Sequence, residues 1–588
     1  MHLTKSSGAV YKMAFFLLTN ISNPKTVEIK KIVKKFDLKE SKYLISELDK
    51  VLHLFTWKST ETCHALTIDN GDLVCSIGTF IYKRLYGNLA LNAIYADFIN
   101  NSFKHSECVG HYSLIIKKQE KIYLYTDMLG AWKIYQSNNG IISSSFYLLL
   151  ELQESLSFNA QGIYEYILNG CTFGQKTICE QITRLEADKN FVLFRNKELK
   201  SFANKDELLR QPDYHHKNID ELTEDYTERL EKLFAQYRII PATKFRSAIS
   251  GGFDSRLILS CFLKTNTTPE LYVYGKPDDK DVQVAKDVSD KARLDLDFID
   301  KSLLKTNITK DNISEIIEKN LFMYDGLSYD GIFDNGNDYF DRLNRVKNNK
   351  VLVNGSVGEV FRHFYYINNK TIGMKDFIKS FHSRFDTKSM TTSFNYADYT
   401  QVLTKEIQTT LQIDKIELNR EELEKLYPLW RARYWSAGDM VNNHRFGLAL
   451  YPFFETGIIN GTSTIKFEHK LYGRLESQMI QLLSPKLAAC KSDYGYRFDE
   501  FPPIKYKLKV KLLTYHRPIW LRKLSYALKN SKGNNLLPEY LCHDYLSQVI
   551  DVNYPYMSKY FKHEQINDIE TLNRLTTVEY IAEKYSFK

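Results

Sequence analysis

The chain predicts an α/β carboxyl-terminal domain on a parallel sheet, preceded by a mainly antiparallel sheet domain with few helices. Three observations predict this. From Lys244 onward, short apolar runs alternate with helical stretches, the pattern of strands joined by crossovers. Before residue 200, short apolar runs are punctuated by turn signals such as Asn70-Gly71-Asp72 and Asn138-Asn139-Gly140. Between the two, residues 201–220 are polar and carry Pro212, a linker composition. The expected domains are 1–205 and 215–588.

The amino-terminal strands are read at Leu73–Ile77, Tyr112–Ile116, Ile122–Tyr125 and Phe191–Phe194. Helical periodicity covers Leu222–Leu233. The second domain then predicts a strand at Phe245–Ile249, a helix at Arg256–Lys264, a strand at Leu271–Tyr274 and a helix at Val282–Arg293. Next come a strand at Leu296–Ile299, a helix at Ile313–Phe322 and a buried strand at Val351–Val353. Beyond about residue 400 the chain reads as mostly helical.

The 588 residues are enough for two or more sizeable cores, and 43% hydrophobic with 26% charged residues is ordinary for a globular chain. The eight cysteines (63, 75, 108, 171, 179, 261, 490, 542) form no C-x-x-C pair, which fits a reducing compartment and argues against a zinc ribbon. The apolar run Met13-Ala-Phe-Phe-Leu-Leu18 is too short to span a membrane, and Met13 is an alternative start. The expectation is a cytoplasmic protein without a membrane span, with a homodimer possible. Residues 501–538 hold nine Lys or Arg and no Asp or Glu, which accounts for the net charge of +9. Lys505, Lys507, Lys509 and Lys511 alternate with apolar residues, so the segment reads as a solvated strand face followed by a basic loop. A patch for an acidic partner or a membrane surface is the alternative. No nucleic-acid-binding motif accompanies the charge, and nucleic acid is not an expected partner.

The segment that carries chemistry is Ser250-Gly251-Gly252-Phe253-Asp254-Ser255, between a predicted strand and a predicted helix. Ligands bind there in parallel sheets, outside the carboxyl ends of strands. Two glycines let backbone amides approach an anion, and the helix start adds its positive end. Ser250 and Ser255 supply hydroxyls. Asp254 alone would repel phosphate, so its presence implies a bridging Mg²⁺. The Walker pattern G-x-x-x-x-G-K-[ST] is absent.

These six residues resemble the pyrophosphate loop of the ATP-pyrophosphatase superfamily. Four further segments are similar to the asparagine synthetase family within it. Gly110–Ile116 with Leu124–Gly130 (Asp127, Gly130 and Tyr135 fitting, Lys133 replacing a proline) resembles that family's amidotransferase domain. Gly174, Thr177, Ile182, Arg184 and Leu185 resemble its bridge, Gly275–Ala285 the segment after the second strand, and Tyr451-Pro-Phe-Phe-Glu455 a late P-F-x-D element. The resemblance implies a sheet of the adenine-nucleotide α-hydrolase (PP-loop) type and an α+β amino-terminal domain of the N-terminal-nucleophile amidotransferase type. It further implies ATP and Mg²⁺ as cofactors, with Ser250, Gly251, Gly252, Asp254, Ser255 and Gly355 around the nucleotide phosphates.

Two departures qualify the resemblance. The family's glutaminase uses an amino-terminal Cys, and neither Met1-His2 nor Met13-Ala14 provides one, so no glutamine hydrolysis is expected. In Val351–Phe361 the family's metal-binding Asp is missing, leaving Gly355 and Glu359. Glu359 is the expected second metal carboxylate beside Asp254, with Asp325, Asp330 and Asp334 as alternatives. Arg445, Lys470 and Arg474 are candidates to neutralise departing pyrophosphate. The expected function is an AMP-forming carbon–nitrogen ligase that adenylates a small-molecule or peptide carboxylate and joins it to ammonia or a substrate amine. The alternatives are a catalytically inactive nucleotide-binding scaffold and a tRNA-modifying member of the superfamily; the scattered cysteines argue against the latter.

Overall fold

The computed structural model describes residues 13–20, 26–56, 61–205, 212–300, 308–522 and 537–588. The expected linker at 201–220 therefore lies partly outside the described residues. Its described end is packed: Tyr214 is buried, and its amide donates to Thr464 Oγ1 at 3.1 Å.

The amino-terminal part holds two six-stranded antiparallel sheets. One runs in the order Ile182–Arg184, Tyr135–Ser137, Ile142–Ser143, Ala14–Asn20, Lys50–Thr56, Lys39–Ile45. The other runs Leu199–Asn204, Lys189–Phe194, Lys121–Thr126, Tyr112–Lys118, Leu73–Gly78, Cys63–Thr67. The strand Ala14–Asn20 shows why its almost wholly apolar sequence is needed. Successive side chains point to opposite faces of a strand. Ala14, Phe16 and Leu18 join one core with Cys75, Ile77 and Ile115 of the second sheet, while Phe15 and Leu17 enter the main core. There the Phe15 ring lies 6.3 Å from Phe322. The helices Thr26–Lys35, Asn88–Ile99, Phe146–Glu151 and Ala160–Asn169 also belong to this part. It is thus richer in helix than the turn-punctuated sequence predicts.

The carboxyl-terminal part contains a five-stranded sheet, parallel throughout, with the order Leu296–Ile299, Glu270–Tyr274, Lys244–Ala248, Lys350–Val353, Ala449–Leu450. Every strand and helix expected between residues 222 and 353 is present, with ends shifted by a few residues. The helix Ile219–Tyr237 starts where Asn218 and Glu221 form a reciprocal capping box, which satisfies two otherwise free amides. The chain runs outward from Lys244–Ala248 through Glu270–Tyr274 to Leu296–Ile299. It then returns to the other side of Lys244–Ala248 at Lys350–Val353. The strand order therefore reverses between Lys244–Ala248 and Lys350–Val353, and such reversals open a crevice at the carboxyl ends of the strands.

The basic segment corrects the expectation of a strand. Ile504–Val510 is a helix that continues as a wider turn over Lys511–Tyr515. The lysines at 505, 507, 509 and 511 satisfy a period of two, but Ile504, Leu508 and Leu512 also recur every four residues, and the helical period prevails. Among the described residues, no helix is long and apolar enough to cross a membrane.

Candidate functional site

Both chain reversals at the switch point carry sequence-predicted residues. The turn 250–255 follows the strand Lys244–Ala248 and opens the helix Phe253–Lys264 with Gly252 as its cap and no side-chain cap. The segment 354–361 follows the neighbouring strand Lys350–Val353. The two meet at Asp254. A Cβ on Gly358 would fall 1.8 Å from Asp254 Oδ1, and one on Gly355 3.1 Å from Asp254 Cβ. The glycines at 355 and 358 are therefore the space Asp254 occupies. Between them Val357 sits at φ +74°, a left-handed conformation that costs a β-branched residue about 1–3 kcal/mol.

Asp254 does not face Glu359 across an open gap. The guanidinium of Arg362 stands between them. Its Nη2 donates to Asp254 Oδ1 at 3.0 Å and Oδ2 at 2.8 Å, and lies 3.9 Å from Glu359 Oε1. Its Nε lies 3.3 Å from Glu476 Oε2. Burial opposes the Arg362 charge, but Asp254, Glu476 and Glu359 outweigh it and hold the guanidinium above its ordinary pKa. Glu476 is fully buried, and burial first, then the charge of Asp254, push its carboxyl well up, against the pull of Arg362. Glu359 also accepts a 2.7 Å hydrogen bond from the Tyr427 hydroxyl.

The turn itself is internally bonded. Ser250 N donates to Ser255 Oγ at 3.0 Å, and the two serine hydroxyls are 3.0 Å apart. Gly251 N donates to Asp281 Oδ1 at 2.9 Å, and Gly252 N to Ser250 Oγ at 3.3 Å. Asp281 comes from the 275–285 segment, which thus meets the turn. Asp493 approaches from the other side, its amide donating to the Gly251 carbonyl at 3.2 Å. Burial and the nearby Asp281 raise its carboxyl pKa. Phe253 is buried and stacks on Tyr494 and Phe498 at 5.0 and 4.2 Å.

The other sequence candidates lie elsewhere or serve other contacts. Asp325 accepts from Ser145 and the amides of Phe146 and Tyr147, capping an amino-terminal helix, and pairs with Arg445 at 3.2 Å. Those two candidates therefore hold each other at the contact between the sheet-rich part and the parallel sheet. Asp334 is held by Asn320 and the Gly336 amide, and burial lifts both it and Asp330 to about 6. Lys470 is buried against Glu424 at 2.7 Å, with His363 on the same carboxylate. Arg474 alone remains exposed near the turn: a Cβ on its neighbour Gly473 would fall 2.4 Å from the Phe253 ring. Sequence reasoning missed Arg362. Its one signal was the Glu359-x-x-Arg362 spacing in the segment that lacks the expected Asp.

The amino-terminal motifs also find partners. Gly110 N donates to both oxygens of Glu455 at 3.1 and 3.2 Å, and Tyr237 donates to the same carboxyl. Glu455 follows the fifth parallel strand, so two weak motifs meet as a clamp between the two parts. Burial there pushes Glu455 up to about 8. Asp127 caps its own turn, accepting from the amides of Ala131 and Trp132. Lys133 is half-buried and donates to the Arg433 carbonyl at 2.7 Å. A cavity of about 310 Å³ lies away from the turn, lined by Cys171, His382, Arg384, Arg431 and Arg574 among others.

The fit of a nucleotide and a metal can be judged from atoms left without partners. Arg362 Nη1 and Asp493 Oδ1 are buried at the turn without a hydrogen bond, while Glu476 Oε2 has Arg362 Nε at 3.3 Å as its ion-pair partner. Buried polar atoms normally find partners. The orphaned donor suits an anion, and the orphaned Asp493 oxygen suits a cation. Among the described residues no cage of three or more His, Cys, Asp or Glu side chains is present. Mg²⁺ does not need one, because it commonly takes one or two carboxylates with phosphate oxygens and water. No protein-family model matches the chain, and no curated protein does.

Proposed function

We propose that the turn 250–255 binds the polyphosphate of ATP together with Mg²⁺, and that the chain is an AMP-forming carbon–nitrogen ligase that does not hydrolyse glutamine. The observation that carries this reading is what gathers at the strand reversal. There a glycine-rich turn and a helix start lie beside Asp254, Glu359 and the orphaned Arg362 Nη1. In this reading the turn holds the β and γ phosphates, after Gly251 N exchanges Asp281 for a phosphate oxygen. Mg²⁺, held by Asp254 and Glu359, would screen charge on the phosphates. Arg362 turns from Asp254 to the departing pyrophosphate. A substrate carboxylate oxygen attacks the α phosphorus, and the bond to the β-phosphate oxygen breaks. An amine then attacks the acyl carbon, loses a proton, and expels AMP, with proximity supplying much of the rate.

A second reading, a nucleotide-binding scaffold without catalysis, is favoured by one feature. Arg362 already supplies the positive charge that a metal would bring to Asp254. Calorimetry with MgATP and pyrophosphate release over a panel of carboxylates separate the two. The ligase reading expects MgATP binding, carboxylate-dependent release, and loss of release in Asp254→Ala. Binding without release for any carboxylate supports the scaffold. No MgATP binding by the wild type refutes both.

A further inference from the structure

Six of the sixteen exposed large apolar side chains of the described residues fall within twenty positions, at Phe501, Ile504, Leu508, Leu512, Leu513 and Trp520. Exposed apolar residues scattered singly need no explanation, but a contiguous group marks an interaction surface. Here the group is ordered. Ile504, Leu508 and Leu512 recur four apart along the helix Ile504–Val510 and its continuation Lys511–Tyr515, so they form one outward row. Ile504 is 76% exposed and Leu512 63%. Lys505 and Lys509 flank the row on one side, Lys507 and Lys511 on the other.

The opposite side of the same element is anchored. Tyr506 packs on Tyr496 and Tyr494 at 5.2 and 6.1 Å. Tyr515 is buried against Phe467 and His363 at 5.8 and 6.0 Å. The apolar row therefore faces outward because the aromatic face is already used, not because the helix is loosely placed. Residues 501–522, the described part of the basic segment, carry six Lys or Arg and no acid, so nothing in it repels an anionic surface.

We propose that this segment docks the protein onto an anionic lipid bilayer, lying in the plane of the interface. An apolar row edged on both sides by lysines matches that environment. The row enters the headgroup–acyl boundary, and the lysine stems extend along it to bring their ammonium groups to lipid phosphates. Trp520 has the amphipathic ring favoured at that depth. Tyr494 contacts both Tyr506 and Phe253, so the turn 250–255 and the bilayer-facing helix are linked through that one ring.

The test is co-sedimentation of the full chain with phosphatidylcholine vesicles and with vesicles of phosphatidylcholine mixed with phosphatidylglycerol. Binding is expected to the mixed vesicles only, and to weaken at high salt. The double variant L508E/L512E should lose at least tenfold in affinity, and K505E/K509E several-fold. All four side chains are exposed, so both variants should keep the wild-type circular dichroism and thermal transition. Absence of binding to the anionic vesicles overturns the proposal, as does binding that L508E/L512E leaves unchanged. A wild-type dimer that ignores vesicles and dissociates in L508E/L512E also overturns it, assigning the row to a second copy of the chain.

Discussion

Replacing Arg362 by Met tests the charge arrangement at the switch point directly. Arg362 is the cation shared by Asp254, Glu359 and Glu476, at 2.8, 3.9 and 3.3 Å. At an effective permittivity of 20, a unit pair at 2.8 Å attracts by about 6 kcal/mol, most of which desolvation cancels. Removing one partner of a buried pair costs about 3–5 kcal/mol, and the partial exposure of Asp254 lowers this to about 2–4 kcal/mol. The pH dependence follows from the carboxylates left facing one another. Without the guanidinium the Glu476 carboxyl, which burial and Asp254 already push well up against the pull of Arg362, rises further above its unfolded value. The penalty is then full above the raised folded pKa and is relieved as pH falls toward the unfolded value. The denaturant midpoint of Arg362→Met should therefore approach that of the wild type between pH 8 and about pH 5. MgCl2 should raise the midpoint of the variant at pH 8 more than that of the wild type, because the vacated position suits a divalent cation. A variant no more sensitive to pH or Mg²⁺ than the wild type would refute the view that Arg362 balances this carboxylate cluster.

Further outcomes follow from single contacts. Gly358→Ala should displace Asp254 and weaken MgATP binding at least tenfold by calorimetry, whereas Gly373→Ala, with open space around its Cβ, should bind as the wild type does. Ser255→Ala removes the acceptor of the Ser250 amide and a hydroxyl aimed into the turn, and should weaken MgATP binding by about 1 kcal/mol with little change in the thermal transition. Glu455, pushed up to about 8, binds its proton more tightly folded than unfolded, so it makes wild-type stability fall as pH rises from about 4.5 to 8. Glu455→Gln should flatten that slope by up to about 1.4 kcal/mol per pH unit in urea titrations, and an unchanged slope would mean that the carboxyl is solvated.

The parallel sheet was legible because each of its first four strands is a short apolar run beside a helix with clear periodicity. The fifth, Ala449–Leu450, is two residues long and has no pattern to read. The turn 250–255 was legible because strand, glycines and helix start are contiguous. Arg362 was not, since its importance lies in a contact across 108 positions. The basic segment satisfied two periods at once, and only the burial of Tyr515 and the packing of Tyr506 fix which face turns inward.

The same limit explains why Asp254 and Glu359 could be named from sequence while the cation between them could not. Five carboxylates, Asp254, Asp281, Glu359, Glu476 and Asp493, surround the turn; Arg362 is the guanidinium that answers Asp254, Glu359 and Glu476, and Arg256 acts on Asp493. A polyphosphate arriving at this turn would add several negative charges, so it would need its own cation or draw Arg362 away from Asp254. The orphaned Nη1 gives Arg362 a free donor to follow the phosphate without first breaking its hydrogen bonds to Asp254. Asp281 must also release Gly251 N, a hydrogen bond worth about 1–3 kcal/mol that reduces nucleotide affinity but is recovered when a phosphate oxygen takes its place. In the proposed reading, nucleotide entry is an exchange of partners at two positions, Asp281 for phosphate at Gly251 and a metal for guanidinium at Asp254. A scaffold needs only the first exchange, and a ligase needs both.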